Sequence, residues 1–473
     1  MKKLLAIAAV CSLGIIVSCN QNNGNGPTEA PVDGSSEFAA AQTPFPDFGY
    51  MVSPDEYSGP VFKLSQDYPD KLPKGPLPDF FKTDFKTDWR KYLEQVQDYC
   101  FEGNTEVDFR VENNSKRAWY HMPWQHYGDN GREGIHGLTQ EAPVQPYQLA
   151  PTQTTDSSGA VAVGFYNDIA GFTIGKVWKN HYAPDHKKNV AFDQGSVLFK
   201  LLFVTLTKEQ AVQQVPYLDN GIWWDGYVVR DFNNMFKPNP ASYRAINPVV
   251  LIQMDIMVRD DRSPTGWVLG NFMYNGKLNK ADPWRNLIPV GIMWGDDPEN
   301  NTNASNPKPT KTIINPDLKE TIINPDTDEL PPTHLGWNSR LNGPVDNPMS
   351  SCFSCHSTAE YPQYTPMSPL FNSDTLAANP VGSEGWMRWF RNLPCGQPFN
   401  DEAKSMDFSL QLAIALQNFY DWKDKQAGLF DSEYTQKSSS PTMMRSAPAD
   451  AEMDEESSTR PMRKVQPITF PRR

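Results

Sequence analysis

The sequence predicts an α+β protein: a β-rich N-terminal domain, built as an antiparallel sheet, a sandwich or a barrel, followed by a shorter, mostly helical segment. Three observations lead there. Runs with strand character follow one another between about 105 and 300, with no helical pattern between them. The chain holds 42 prolines, 13 tryptophans and 18 tyrosines, which suits short aromatic strands joined by proline-rich loops. Helical periodicity becomes prominent again only near the C-terminal end, at 385–392 and 408–422.

The elements follow in order. Lys2 and Lys3 precede an apolar run over 4–17, too short to span a bilayer, so residues 1–18 read as a signal peptide. The run ends in Ile16-Val17-Ser18-Cys19, which resembles a bacterial lipobox and implies cleavage before Cys19 and lipidation of its thiol. Residues 19–45 are a polar tether, and Asn20 behind the cysteine points to the outer membrane. The β-rich domain covers 46–300. It opens on a helix over 88–101, with Trp89, Tyr92, Leu93, Val96 and Tyr99 near helical spacing. Strands are expected at 160–166, 172–178 and 196–206. Residues 249–259 alternate, with Ile252, Met254, Ile256 and Val258 on one side and Gln253, Asp255, Met257 and Arg259 on the other. The turn-rich 260–266 then leads into 267–274, which completes a hairpin. Residues 301–332 read as a linker carrying a duplicated Thr-Ile-Ile-Asn-Pro-Asp, at 312–317 and 321–326. The helical segment spans 333–425. Its first helix is stopped by Pro394; its second has an apolar stripe of Leu410, Leu412, Ala413, Leu416 and Phe419. The Ser/Pro/Glu-rich residues 426–473 are expected to be disordered.

Formal net charge is −13, and −15 without Lys2 and Lys3. Phosphate backbones need a basic footprint, so nucleic acid is excluded as a partner.

Within the helical segment lies Cys352-Phe353-Ser354-Cys355-His356, a C-x-x-C-H sequence. That spacing is the attachment signal for a c-type haem: two thiols meet the two vinyl groups, and the next residue sets an imidazole beneath the iron. A structural zinc needs four ligands, and the chain has no second C-x-x-C and no H-x-x-x-H. A redox C-x-x-C would need a βαβ context, which is missing. The motif therefore predicts one covalent haem c, with Cys352 and Cys355 as attachment points and His356 as proximal ligand. Met367, Met387 and Met406 follow the motif as distal candidates, beside a remote histidine or an open position; each could equally be packing in a core.

Other residues stand out. Arg340 and Trp337 precede the motif in a turn-dense stretch and suit haem propionates, or simply stiffen a loop. His121, His126 and His136 fall within 16 residues. They could supply a distal ligand, a substrate pocket or a second metal, or satisfy hydrogen bonds at a sheet rim. Six cysteines less Cys11 in the signal, Cys19 for lipid and two for haem leave Cys100 and Cys395. In an oxidising compartment these form either a disulfide or two buried thiols.

Arg132-Glu133-Gly134-Ile135-His136-Gly137-Leu138-Thr139, taken with Arg340-Leu-Asn-Gly-Pro-Val-Asp346-Asn-Pro348 just before C-x-x-C-H, resembles a group of exported bacterial monohaem cytochrome c proteins. The resemblance covers most of 115–425. It implies haem binding and electron-carrier chemistry and no particular substrate. The expected function is thus one-electron transfer in the cell envelope, by a lipid-anchored protein serving a redox partner. The alternatives are an oxidoreductase whose β-rich domain binds substrate, and a haem-based ligand sensor.

Overall fold

The computed structural model describes residues 52–126, 131–155, 158–237, 239–301, 315–326, 328–330, 335–370 and 378–430. The signal segment, Cys19, the tether at 19–45 and the tail beyond 430 lie outside the described residues.

The protein is α+β. Helix α1 (Trp89–Phe101) leads into β1 (Trp119–Tyr120), β2 (Thr139–Pro143) and β3 (Gly159–Asn167). Then come α2 (Asp168–Val177), β4 (Val197–Val204), α3 (Lys208–Gln214), β5 (Trp223–Val229), β6 (Arg244–Arg259), β7 (Trp267–Tyr274), β8 (Leu287–Met293) and β9 (Thr321–Ile323). The chain closes with α4 (Cys352–His356), β10 (Glu360–Tyr361), α5 (Glu384–Met387), β11 (Lys404–Ser405) and α6 (Leu410–Phe430). Nine strands form one antiparallel sheet in the order β1-β3-β4-β6-β7-β8-β9, with β2 also on β3 and β5 also on β6. The ends of that order do not pair, so the sheet is open, neither a barrel nor a two-sheet sandwich. A two-stranded ribbon, β10 with β11, stands apart.

The hairpin read at 249–274 is β6–β7. Residues 172–178, expected as a strand, fall in and just after α2. The Asn167 carboxamide starts that helix by accepting the Ala170 amide at 3.0 Å, and also takes the Val197 amide at 3.1 Å. An N-cap overrides the β propensity of Phe172, Thr173 and Ile174, and Ala170, Thr173, Ile174 and Val177 turn inward at helical spacing. The second copy of the duplicated hexapeptide, read as linker, supplies β9, whose Thr321–Ile323 pairs with Gly291–Met293 of β8. The last helix runs to Phe430, beyond the expected start of the disordered tail.

The two sheet faces differ in chemistry. One row of paired residues runs Phe165, Phe199, Ile256, Gly270. It meets Trp119 and Phe109, with Trp119 and Phe199 centroids 4.9 Å apart, and α1 lies over it, so close that a Cβ on Gly270 would stand 2.5 Å from Leu93. Burying side chains of this size contributes about 1.5–3 kcal/mol each. The next row, on the opposite face, runs Gly164, Lys200, Asp255, Asn271, Gly291. That face is covered too. A Cβ on Gly343 would overlap Gln253 and one on Gly164 would overlap Gln411, so the 343–356 segment and α6 lie on the polar side. Phe353, Met406, Phe408, Leu412 and Leu416 join the same core as the sheet. The alternation read in β6 thus separates two covered faces, one apolar and one polar.

Candidate functional site

The motif forms α4, a short helix held at its start. Ser351 and Ser354 make reciprocal capping bonds: the Ser354 amide donates to Ser351 Oγ at 2.9 Å and the Ser351 amide to Ser354 Oγ at 2.8 Å. Ser351 Oγ in turn donates to Asp296 Oδ1 at 2.6 Å, and the Cys352 amide to the Leu341 carbonyl at 3.0 Å. Three residues apart on one turn, Cys352 and Cys355 share a helix face.

His356 ends α4 with its Nδ1 2.8 Å from the Phe408 carbonyl. A carbonyl oxygen only accepts, so Nδ1 carries the proton and Nε2 keeps its lone pair. Burial holds the ring's proton affinity down to about 4, despite the Phe408 carbonyl. At neutral pH it is a neutral imidazole with one oriented donor nitrogen. Burial raises both thiols: Cys355 is pushed up to about 12, and Cys352 lies well above the ordinary range, with Asp255 and Asp346 adding to the effect. A redox C-x-x-C has the opposite property, a depressed thiol. No group of three or more His, Cys, Asp or Glu suited to a metal ion occurs among the described residues, whereas a haem iron draws only one ligand from the motif.

Cys352, Cys355, His356, Lys200 and Asp255 each keep part of their surface accessible, yet burial is the leading influence on the proton affinity of every one. Side chains that are deep and still accessible line a recess, here between α4 and the polar face of the sheet. Gln253 Nε2 donates to Asp255 Oδ1 at 2.9 Å and to Asp346 Oδ2 at 2.9 Å. Lys200 faces Glu141 at 3.4 Å, with 27% of its side chain accessible. Burial works to lower the lysine, and Glu141, Asp255 and Asp346 outweigh it, so the net shift is upward. Asp255 is pushed up to about 7, by burial first and then by Asp346, against Lys200. Sequence reading missed this floor. Its signal was Lys200, the one charge in the apolar run Val197-Leu-Phe-Lys-Leu-Leu-Phe-Val204.

The distal candidates lie in different places. Met406 is fully buried in the main core, its amide donating to the Ala359 carbonyl at 2.8 Å. It lies just past β11, two residues before Phe408, in the segment that backs His356. Met387 is half-buried on a second cluster, formed by Trp337, Trp386, Trp389, Phe390 and Phe399; Met349, three residues before Cys352 and not singled out from sequence, packs there too. Met367 is half-buried on the loop after β10. The indole nitrogens of Trp337 and Trp386 are buried without an acceptor.

Arg340 is neither on the surface nor turned outward. Fully buried, it donates from Nε to the Asp296 carbonyl at 2.7 Å and from Nη2 to the Asp297 and Asn300 carbonyls at 2.8 and 2.7 Å. With these donors taken it braces the 296–300 loop beneath Ser351, and the propionate role is withdrawn.

The three histidines separate. His121 accepts the Ser65 amide at Nδ1, 3.0 Å, and burial drives its proton affinity well down. His136 stacks on Trp224 with centroids 4.3 Å apart, Nδ1 donating to the Asp225 carbonyl and Nε2 3.1 Å from Asp108. Burial, then Arg132, lowers His126 to about 4. The segment around them is architectural: Glu133 gathers the amides of Ile135, His136, Leu138 and Tyr227 at 2.6–3.2 Å.

The Cys100–Cys395 bridge is absent; both thiols are free. Cys100 lies one turn beyond Gln97, which donates to the Leu287 carbonyl at the Tyr274 end of β7. Cys395 lies at the other end, its Sγ accepting from Arg259 Nη2 at 3.1 Å beside Gly266. The length of β7 separates them, on the order of 20 Å, where a disulfide tolerates about 7 Å between Cα atoms.

No protein-family model matches this chain, and neither a curated protein nor a solved structure does.

Proposed function

We propose that the protein is a c-type cytochrome, carrying one haem bound covalently through Cys352 and Cys355 with His356 as the proximal ligand, and transferring single electrons to and from a redox partner protein in the cell envelope. The observation that supports this most is the 2.8 Å contact of His356 Nδ1 with the Phe408 carbonyl. It fixes the tautomer and aims Nε2, the arrangement a histidine needs to hold a metal. Haem supplies a one-electron centre; the chain's own residues attach it, orient its imidazole and enclose it. Met387 is the favoured distal ligand, since it is half-buried on an aromatic cluster while Met406 is fully buried in the main core, in the segment behind His356. Protein matured in a cytochrome c-competent host should keep haem through denaturing electrophoresis, and Cys352→Ala with Cys355→Ala should abolish it. Wild-type protein without covalent haem would sink the reading.

An oxidoreductase is the second reading, favoured by the charged floor of the recess. A pure carrier gains nothing from Lys200, Asp255 and Asp346 there, and burying each ion costs several kcal/mol. A low-spin iron indifferent to CO indicates the carrier, a high-spin iron that binds CO or peroxide the enzyme.

The same reading includes anchoring by lipid on Cys19. No helix of the described residues is long and apolar enough to cross a membrane. Cys19→Ser should move the protein to the soluble fraction; unchanged membrane association with no lipid mass on the N-terminal peptide would refute the anchor.

A further inference from the structure

A pocket beside His121 takes no part in the haem reading. It lies on the apolar face of the sheet, opposite the recess. The rings of His121 and Phe165 have centroids 5.4 Å apart, and Phe165 belongs to the row that meets Phe109. Counting its open mouth, the pocket measures about 240 Å³. Three polar atoms of His121 are engaged elsewhere. Its amide donates to the Ser65 carbonyl at 2.9 Å, its carbonyl accepts the Tyr68 hydroxyl, and its Nδ1 accepts the Ser65 amide at 3.0 Å. Neither Ser65 nor Tyr68 lines the pocket, so His121 presents the other edge of its ring there. Nδ1 accepts, and burial keeps the ring from gaining a second proton, so Nε2 carries the hydrogen. That N–H is buried, on a residue 1% exposed, and no protein acceptor reaches it. A buried donor without an acceptor is rare enough in folded proteins to point to a partner from outside the chain.

The surroundings say which acceptor fits. Buried Arg132 stands 5.4 Å from the Phe62 ring and bears on His121 with a positive field. Lys63 and Arg110 line the pocket, and among the described residues neither has a carboxylate within ion-pair distance. Arg110 Nη1 donates to the Ile135 carbonyl at 3.0 Å, which orients the guanidinium and leaves its other N–H groups without an acceptor from the described residues. Of the two lining carboxylates, Asp108 faces His136 Nε2 at 3.1 Å, and exposed Glu112 stands without such a partner. Two cations against one anion favour a ligand of single negative charge. Asp108 and Phe109 hold φ of 51° and 55°, consecutive non-glycine residues in the left-handed region, a strain that clusters at binding sites. We propose that this pocket binds a short-chain monocarboxylate. Its oxygens accept from His121 Nε2 and pair with Arg110 and Lys63, charge-assisted bonds of the stronger kind, while its hydrocarbon part lies against Phe62, Phe109 and Trp224. The sheet separates this site from α4, so it stands whether or not haem attaches there.

The test is equilibrium dialysis of the purified full chain against radiolabelled propionate at fixed ionic strength. A single saturable site per chain is expected. His121→Asn, whose Oδ1 can still accept the Ser65 amide, should weaken binding about tenfold or more, the loss that goes with a hydrogen bond to a charged group. Arg110→Gln should weaken it too, and Glu112→Gln, which removes a like charge from the mouth, should tighten it. Propionamide, uncharged and of similar shape, should compete poorly. In histidine-selective ¹⁵N spectra the His121 Nε2 resonance should move as sodium propionate is added and stay put with sodium chloride. Should His121→Asn fail to fold, the wild-type resonance and the two mouth variants decide the matter without it. Absence of saturable binding, equal competition by chloride or propionamide, or a His121 Nε2 signal indifferent to bound propionate would each overturn the site and leave water as the partner of that ring.

Discussion

Ser351 is a single hydroxyl with two duties, capping α4 and reaching Asp296. Ser351→Ala removes both, and a lost N-cap costs about 1 kcal/mol. The variant should unfold at lower urea with an unchanged m-value, and a midpoint equal to wild type would show the cap to be idle. Asp255 makes a prediction about pH. Its folded proton affinity, at about 7, lies above its ordinary value of 3.8. The folded state thus holds a proton that the unfolded chain releases, and its contribution to stability is whole below about pH 4 and lost as pH rises through 7. Asp255→Asn should therefore gain stability relative to wild type between pH 5 and 8. Paired thermal melts across that range check the sign, and a constant difference would refute it.

At the scale of the element, the row Gly164, Lys200, Asp255, Asn271, Gly291 decides what the sheet supports. Its two glycines leave room: Gln411 of α6 comes down against Gly164, where its Oε1 accepts from Tyr166 at 2.7 Å. Lys200 between them is, among the described residues, the only cation set against Glu141 and Asp255. Removing one partner of a buried charge group costs about 3–5 kcal/mol, more than removing the whole group. Lys200→Met should destabilise the protein by an amount of that order, and Lys200→Met with Asp255→Asn by less. Denaturation midpoints of the two variants decide it; equal losses would mean that the charges act independently. The sequence made β6 and β7 legible because period-two alternation and a Pro-Thr-Gly turn are local signals. It hid α2, because Asn167 wins through contacts with Gly195 and Val197, both about 30 positions away in sequence.

Across the whole molecule, one sheet with two covered faces brings distant segments together. The C-x-x-C-H motif was legible as a string. The Phe408 carbonyl behind His356 was not, since nothing in a backbone oxygen's residue type announces it. Arithmetic on the cysteines paired Cys100 with Cys395 by elimination, and elimination ignores where a strand puts its ends. Both thiols being free, reducing agent should leave the melting temperature unchanged, and alkylation after denaturation without reductant should label both. A drop on reduction, or protected thiols, would restore the bridge.

The clasp on His356 also imposes an order of events. The imidazole is seated by a residue made 52 positions later, and α6, which follows that residue, lies over the sheet beside Gly164. On the cytochrome reading proposed above, a flat, rigid macrocycle would have to reach the C-x-x-C-H segment before α6 settles there. Under that reading attachment would precede closure: haem offered during export should become bound, whereas haem offered to purified, fully folded haem-free protein should not until the fold is loosened with denaturant.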